Sequence, residues 1–443
     1  MTQDADDPRR RYSPPTEFLH RLLKADRGEL SAVVAGFGVF FCLFAGYAML
    51  RPLRETMGIT GGVQNLQWLF TATFLTMLLA VPAYGALSAA VPRARLIPCV
   101  YAFFIANLLA FTAGFRAHPE SVWLARVFYV WLSVFNLCVI SVAWSLMADV
   151  FRPAQARRLF ALIAAGASAG GLLGPMLAGL LVGIIGHAGL GLLAAGLLGL
   201  CLLGVGILLR WRARAGAGME LGTEDPERPI GGGIFAGLSR IARSPYLLGI
   251  SAFVVLLATA STFLYFEQAR LVAETFPDRV RQTQVFSALD AVVQALTIFT
   301  QIFLTGRLAA RRGVTVLLTA VPVVITGGLL FLAYMPVFGV LAAVMVLRRV
   351  GEYALVRPGR EMLFTLVDAE TKYKAKNVID TVVYRGGDAV SGWVKAGIDA
   401  LGFGAWLAAL VGAALAAVWA GVGYWLGRSH DAKHQGCFFC TPV

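Results

Sequence analysis

The chain has 443 residues, of which 58% are hydrophobic and only 14% charged, with a net charge of +13. Soluble chains run near ~25% charged, so this composition excludes a water-soluble globule. Most Arg and Lys sit in short breaks between apolar runs, which reads as a membrane-topology signal and sets nucleic acid aside as a partner.

Residues 1–29 form a polar amino-terminal tail that includes Arg9, Arg10 and Arg11. Within it, Phe18, Leu19, Leu22 and Leu23 stand against Arg21, Lys24 and Arg27. That pattern suits either a short helix on the inner leaflet or a frayed tail. The first apolar run is too long for the core of a secretory signal, and none is expected. Six apolar runs follow, at roughly 30–50, 66–90, 96–115, 121–147, 158–185 and 188–210. Each can cross a ~30 Å hydrocarbon core as a helix. A spanning barrel would need ~10-residue alternating strands, and none is visible. Residues 211–244, with Gly231, Gly232, Gly233 and prolines at 226 and 229, read as a flexible cytoplasmic linker. Six more runs lie at roughly 245–267, 283–305, 314–335, 337–363, 377–400 and 402–427, before a tail at 428–443. The expected fold is an all-α polytopic membrane protein, with about twelve transmembrane helices in two pseudo-symmetric six-helix bundles, 30–210 and 245–427.

The breaks alternate in charge. Arg93 and Arg95, Arg152, Arg157 and Arg158, Arg210 to Arg243, Arg307, Arg311 and Arg312, and Lys372, Lys374 and Lys376 all fall on one side. The positive-inside bias makes that side cytoplasmic, with both termini inside. Two outer breaks, 51–65 and 267–283, depart from the pattern by carrying charge. Cys42, Cys99, Cys138 and Cys201 lie inside apolar runs and act as small hydrophobes rather than as a disulfide framework.

The halves repeat at about 220 residues. Gln155-Ala156-Arg157-Arg158 and Lys374-Ala375-Lys376-Asn377 each lead about ten residues later into a glycine patch, and Gly85 and Gly306 each end a run. The string Gly306-Arg307-Leu308-Ala309-Ala310-Arg311-Arg312-Gly313 resembles the loop signature of the major facilitator superfamily. That resemblance implies a parallel pair of six-helix repeats around a central site. It also assigns a gating role to Gly306, Arg307 and Arg311, and to Gly85, Arg95 and Asp149 in the first half. The stretch from Gly85 to Arg95 keeps the glycine and arginines but lacks the acidic residue usual there. Gly170, Gly174-Pro175 and Gly179 resemble the antiporter motif of the same superfamily, with one extra residue before the last Gly.

A charge at the bilayer centre costs at least ~2.5–3.5 kcal/mol, so embedded charges are read by default as lining an interior path. Arg126, Asp290, Glu352, Arg385, Asp388 and Lys395 lie within runs, Arg51, Arg54 and Glu55 close the first run, and Glu267 closes the seventh. Arg51, Arg54, Glu55, Arg126, Glu267, Arg385 and Asp388 are the candidate solute-binding residues. Guanidinium forks suit phosphate or carboxylate, so an anionic solute is expected. Asp290 and Glu352 are the candidate proton-coupling carboxyls, or else plain ion-pair partners. Arg385 and Asp388, three apart, either face the path or pair with each other. Lys395 lies near enough to an end to snorkel. Arg348 and Arg349 line the path or pair with Glu352. Asn136 and Gln294 read as interhelical hydrogen bonders, and Trp68, Trp123, Trp131, Trp144 and Tyr129 mostly as lipid-facing or interface anchors, with one or two free to stack on a substrate base.

Three stretches are similar to the ATP/ADP translocases of plastids and intracellular bacteria and their free-living relatives. They are Leu50-Arg51-Pro52-Leu53-Arg54-Glu55-Thr56-Met57, Trp144-Ser145-Leu146-Met147-Ala148-Asp149-Val150-Phe151, and Lys374 through Asp380 to Arg385-Gly386-Gly387-Asp388. The resemblance implies nucleotide exchange. Members that exchange nucleotides have a Lys before the acidic residue of the first stretch, where this chain has Arg54.

No Gly-Lys dipeptide and no HExxH pair occurs, so neither a nucleotide-hydrolysing loop nor a zinc peptidase is expected. His430, His434, Cys437 and Cys440 have spacings that suit zinc, but a compact tail of this kind reads as disordered. No cofactor or resident metal is expected. The expectation is a monomeric secondary transporter for a small anionic solute, coupled to protons or a counter-solute. The alternative is a transport-inactive relative serving as a receptor or scaffold for an envelope complex.

Overall fold

The computed structural model describes residues 29–151, 153–216, 234–402 and 404–438. The stretch at 16–27, the linker glycines 231–233 and the side chains of His434, Cys437 and Cys440 lie outside the described residues. Among the described residues every regular element is helical. The first four are α1 (Leu30–Thr60), α2 (Leu66–Ala90), α3 (Arg93–Ala117) and α4 (Val122–Val150). A run Pro153–Gly216 breaks at Gly186, and its arms, 153–185 and 187–216, are α5 and α6. The short α7 (Ile234–Arg243) precedes α8 (Pro245–Thr275). Helix α9 starts at Arg279 and passes through a π turn, Gln301–Thr305, to a break at Gly313, after which 314–334 is α10. Helix α11 runs over 338–363 with a π turn at Glu352–Val356, and α12 over 369–400 with one at Ile379–Val383. Helix α13 is Gly404–Phe438.

Eight described helical stretches are long and apolar enough to cross a membrane. Two of them, 158–214 and 279–334, are 57 and 56 residues long. At 1.5 Å per residue each would measure roughly 85 Å, far beyond one hydrocarbon core. Gly186 (φ 68°) and Gly313 (φ 71°) divide them, in the left-handed region that only glycine enters freely. Helices α11 and α12 are absent from the apolar set because they carry Arg348, Arg349, Glu352, Arg357, Arg385, Asp388 and Lys395.

The expected ends of two runs need correction. Helix α1 continues to Thr60 through Pro52, so Arg51, Arg54 and Glu55 lie within it rather than closing it. Helix α8 continues to Thr275 and places Glu267 well inside. Hydropathy averages treat a charge facing a cavity like a charge facing water, and so end the run too early.

One apolar core draws on residues from Ala32 to Leu208, a second on residues from Ile241 to Leu426. In the first half α1 and α5 touch at backbone distance. A Cβ at Gly166, Gly170 or Gly174 would overlap the carbonyl oxygens of Phe37, Phe41 and Ala45 in turn. This four-residue step of small residues is a device of close helix packing in membranes. The opposite face of α5 meets α9 across the halves, Gly179 against Ser287 and Gly171 against Gln294.

The break at Gly313 is held from α13. The Asp431 carboxylate accepts from the Val314 and Thr315 amides at 3.1 and 3.2 Å and from the Thr315 hydroxyl at 2.7 Å, capping α10. A Cβ at Gly85 or Gly306 would meet nothing within 4 Å, so neither mediates a close helix approach here. Arg95, Arg307 and Arg311 are exposed at the same end, and Asp149 is half-buried near the end of α4.

Candidate functional site

A cavity of about 940 Å³ lies between the halves, lined by α1, α2, α4 and α5 on one side and α8, α9, α11 and α12 on the other. That is at the upper end of the range for small-molecule sites. Its roof lies toward the end bearing the breaks near residues 61, 118, 186 and 277. There the Tyr129 and Tyr265 hydroxyls, from opposite halves, are 2.9 Å apart. The Arg54 guanidinium lies 3.8 Å over the Tyr129 ring, donates to the Tyr129 carbonyl at 3.1 Å and pairs with Glu55 at 3.1 Å. Beyond the roof the halves stay joined through Thr56 to Thr283 (2.7 Å), His187 to Thr283 (3.0 Å), and Arg279 to Glu120 (2.7 Å). Trp68 and Trp393 pack edge to face beside them. Toward the opposite, basic end the lining residues Gln301, Arg357 and Glu361 are exposed and form the mouth.

Charge is concentrated on the second half. Arg348 pairs with Glu352 at 2.8 Å and donates to the Ser261 hydroxyl at 2.7 Å. Arg349 pairs with Asp290 at 2.6 Å, and Arg51 of the first half reaches the other Asp290 oxygen at 3.9 Å. Arg357 lies 3.5 Å from Glu352 and 4.5 Å over the Tyr353 ring. Arg385 stands 3.7 Å from Asp388, which accepts from the Thr262 hydroxyl at 3.2 Å. Six guanidiniums and five carboxylates line the chamber, so the wall keeps a cationic excess. Besides Arg51, Arg54 and Glu55, the first half lines the chamber with uncharged residues, among them the polar Thr73, Ser133, Asn136 and Ser168. The Asn136 Oδ1 and Thr73 Oγ1 atoms are buried without a partner among the described residues. Such groups cost ~1–3 kcal/mol unless water or a ligand satisfies them.

Of the residues expected from the sequence, Arg51, Arg54, Glu55, Asp290, Glu352, Arg385 and Asp388 line this one chamber. Arg348 and Arg349 both line it and pair, but with different carboxylates. Arg126 does not reach it: its Nε donates to the Gly61 carbonyl at 2.9 Å, tying down the end of α1. Glu267 is buried away from it, bound to Arg270 at 2.8 Å. Lys395 is buried rather than snorkelling, and pairs with Asp399 at 2.7 Å. Tyr129 is buried at the roof, not facing lipid. Arg357, Glu361, Tyr265, Tyr353, Tyr384, Ser261 and Thr262 were not singled out from the sequence. The four-residue steps 348–352 and 349–353–357 on α11 are the signal that would have found Arg357 and Tyr353. Gly166-Ala167-Ser168-Ala169-Gly170 has the spelling of a nucleophile elbow. It lies mid-helix in α5, without the strand-to-helix turn that such chemistry needs.

The chain is 22% identical to the ADP,ATP carrier protein 1 of Chlamydia muridarum (strain MoPn / Nigg), over 90% of this chain and 86% of that one. The protein of the same name from Chlamydia trachomatis serovar D matches equally well. Among solved structures, a bacterial homologue of the iron transporter ferroportin in an inward-facing state superposes with a TM-score of 0.63 at 14% identity, covering 89% of this chain and 98% of that one. The nucleoside transporter NupG gives 0.60 at 15%, covering 90% and 99%. These likenesses carry the fold. The Major Facilitator Superfamily model matches residues 30–359, and with that chamber at its centre the chain belongs to this transporter superfamily and is not an enzyme.

Proposed function

We propose that the protein is a secondary transporter that moves a small anionic solute, a nucleotide or another organic phosphate, across a bacterial inner membrane by alternating access. The observation that carries this reading is the convergence of Arg51, Arg54, Arg348, Arg349, Arg357 and Arg385 on one chamber. Guanidinium forks bind phosphate and carboxylate through paired, charge-assisted hydrogen bonds. Phe44, Tyr47 and Tyr265 in the lining of the same chamber offer faces for a planar group. The name of the chlamydial relatives points to the same solute class. Arg54 in place of Lys keeps the cation but offers a fork instead of a point charge.

In this reading the halves 30–210 and 245–427 rock as two bodies, and the mouth at the basic end faces the cytoplasm, where both termini lie. Gly85, Arg95, Asp149, Gly306, Arg307 and Arg311 mark the loops that close when the chamber turns outward. Asp290 is held by Arg349 and Glu352 by Arg348. Coupling to protons through these carboxyls, or exchange for a counter-solute, completes the cycle. A receptor or scaffold would have no use for a guanidinium-lined chamber, and that alternative is not favoured.

The test is binding. The purified protein is titrated with ADP, glucose 6-phosphate, phosphate and succinate, with glucose as a neutral control. At 100 times its Kd a ligand adds ~2.7 kcal/mol of stability, a Tm rise of several degrees. That rise is expected for at least one anion and should shrink with salt. No shift with any anion contradicts the proposal.

A further inference from the structure

Most chamber carboxylates are paired within their own half: Glu55 with Arg54, Glu352 with Arg348 and Arg357, Asp388 with Arg385, and Glu361 with Lys376. Asp290 differs. It is 7% exposed, and its two oxygens address Arg349 on its own half at 2.6 Å and Arg51 on the other at 3.9 Å. The first contact is a charge-assisted hydrogen bond, while the second exceeds hydrogen-bonding range. One carboxylate thus serves two guanidiniums and satisfies neither fork fully, leaving one positive charge in excess.

We infer that Asp290 is an internal stand-in anion: in the empty chamber it occupies the Arg51–Arg349 pair that the solute's anionic group takes on binding. This deepens the transport reading above and rests on it. A phosphoryl group has enough oxygens to address both forks at once. As it takes Arg51 and Arg349, Asp290 is released and the ion pair joining the halves at this level is lost. Binding the solute and unlatching the halves become one event.

Ser287 supplies the reporter. It lies one turn from Asp290 toward the roof end, is 1% exposed, faces Gly179 across the halves, and its Oγ has no partner among the described residues. Ser287→Cys therefore removes no hydrogen bond. In the full chain with its native cysteines replaced by Ala, purified in detergent, the measurement is the rate of Cys modification by a bulky charged maleimide. Pyrophosphate should raise the rate by up to about fivefold, the scale of one long, partly solvated ion pair. Asp290→Asn should raise it to a similar extent without pyrophosphate, which then adds nothing. Asp290→Glu should restore the slow rate, excluding general unfolding, and Asp399→Asn, breaking a pair within one half, should leave it unchanged. If pyrophosphate opens the parent and Asp290→Asn alike, anion binding stands and the role of Asp290 is refuted. If Asp290→Asn opens the seam but pyrophosphate, phosphate and succinate do not, displacement by anions is refuted while transport of another solute class survives.

Discussion

Arg385→Ala separates an anion-binding role from a structural one. The guanidinium is 3.7 Å from Asp388, too far for a hydrogen bond, and a third of the side chain is exposed to the chamber. A long, partly solvated pair of this kind is worth at most ~1 kcal/mol, so the variant should keep its Tm within a few degrees. A charge-assisted hydrogen bond from Arg385 to a bound anion is instead worth ~1.5–3 kcal/mol. Its loss should raise Kd and KM by roughly 10- to 150-fold. Arg385→Lys, which keeps charge but not the fork, should fall between. The assay pairs thermal unfolding with initial rates of solute exchange in proteoliposomes over a range of concentrations. Wild-type KM in Arg385→Ala would refute the assignment. A large fall in Tm with unchanged KM would show that Arg385 only holds α12 in place.

Gly170→Leu should be strongly destabilising, because the new side chain meets the Phe41 carbonyl and the Ala45 amide of α1. Overpacking costs ~1–3 kcal/mol or more, visible as a lost monodisperse peak in gel filtration, whereas Gly85→Leu should keep the wild-type peak. Asp431→Ala removes three hydrogen bonds from the start of α10. A cap loss of ~1–2 kcal/mol should lower Tm by a few degrees and leave KM unchanged. Tyr265→Phe removes the cross-half bond to Tyr129. At ~1 kcal/mol it should speed labelling of Ser287→Cys about fivefold, and no change would mean the roof is closed by other contacts.

The helices were legible because a ~20-residue apolar run has few other uses. The sharp turn at Gly186 was legible from Gly186-His187-Ala188-Gly189. The chamber was only partly so. Arg51, Arg54 and Glu55 were named as solute-binding candidates but placed at the end of a run, since hydropathy does not distinguish solvent in a chamber from solvent outside. The partner of Arg349 lies 59 residues earlier, at Asp290, a pairing set by the rotation of two helices rather than by local spacing. Arg126 had the right residue type at a plausible depth, yet it points to the end of α1. The π turns at Gln301–Thr305, Glu352–Val356 and Ile379–Val383 have no sequence signature. Each adds a residue to a turn and so changes which face the following residues present.

The central claim, transport of an anion through the guanidinium-lined chamber, is tested most directly by counterflow. Proteoliposomes loaded with unlabelled ADP, glucose 6-phosphate, phosphate or succinate are given the matching radiolabelled solute outside, with and without a pH gradient. Transient accumulation of at least one labelled anion, abolished in Arg349→Ala, is the predicted result. No counterflow of any of these anions, with counterflow of a neutral solute such as glucose, would contradict the account.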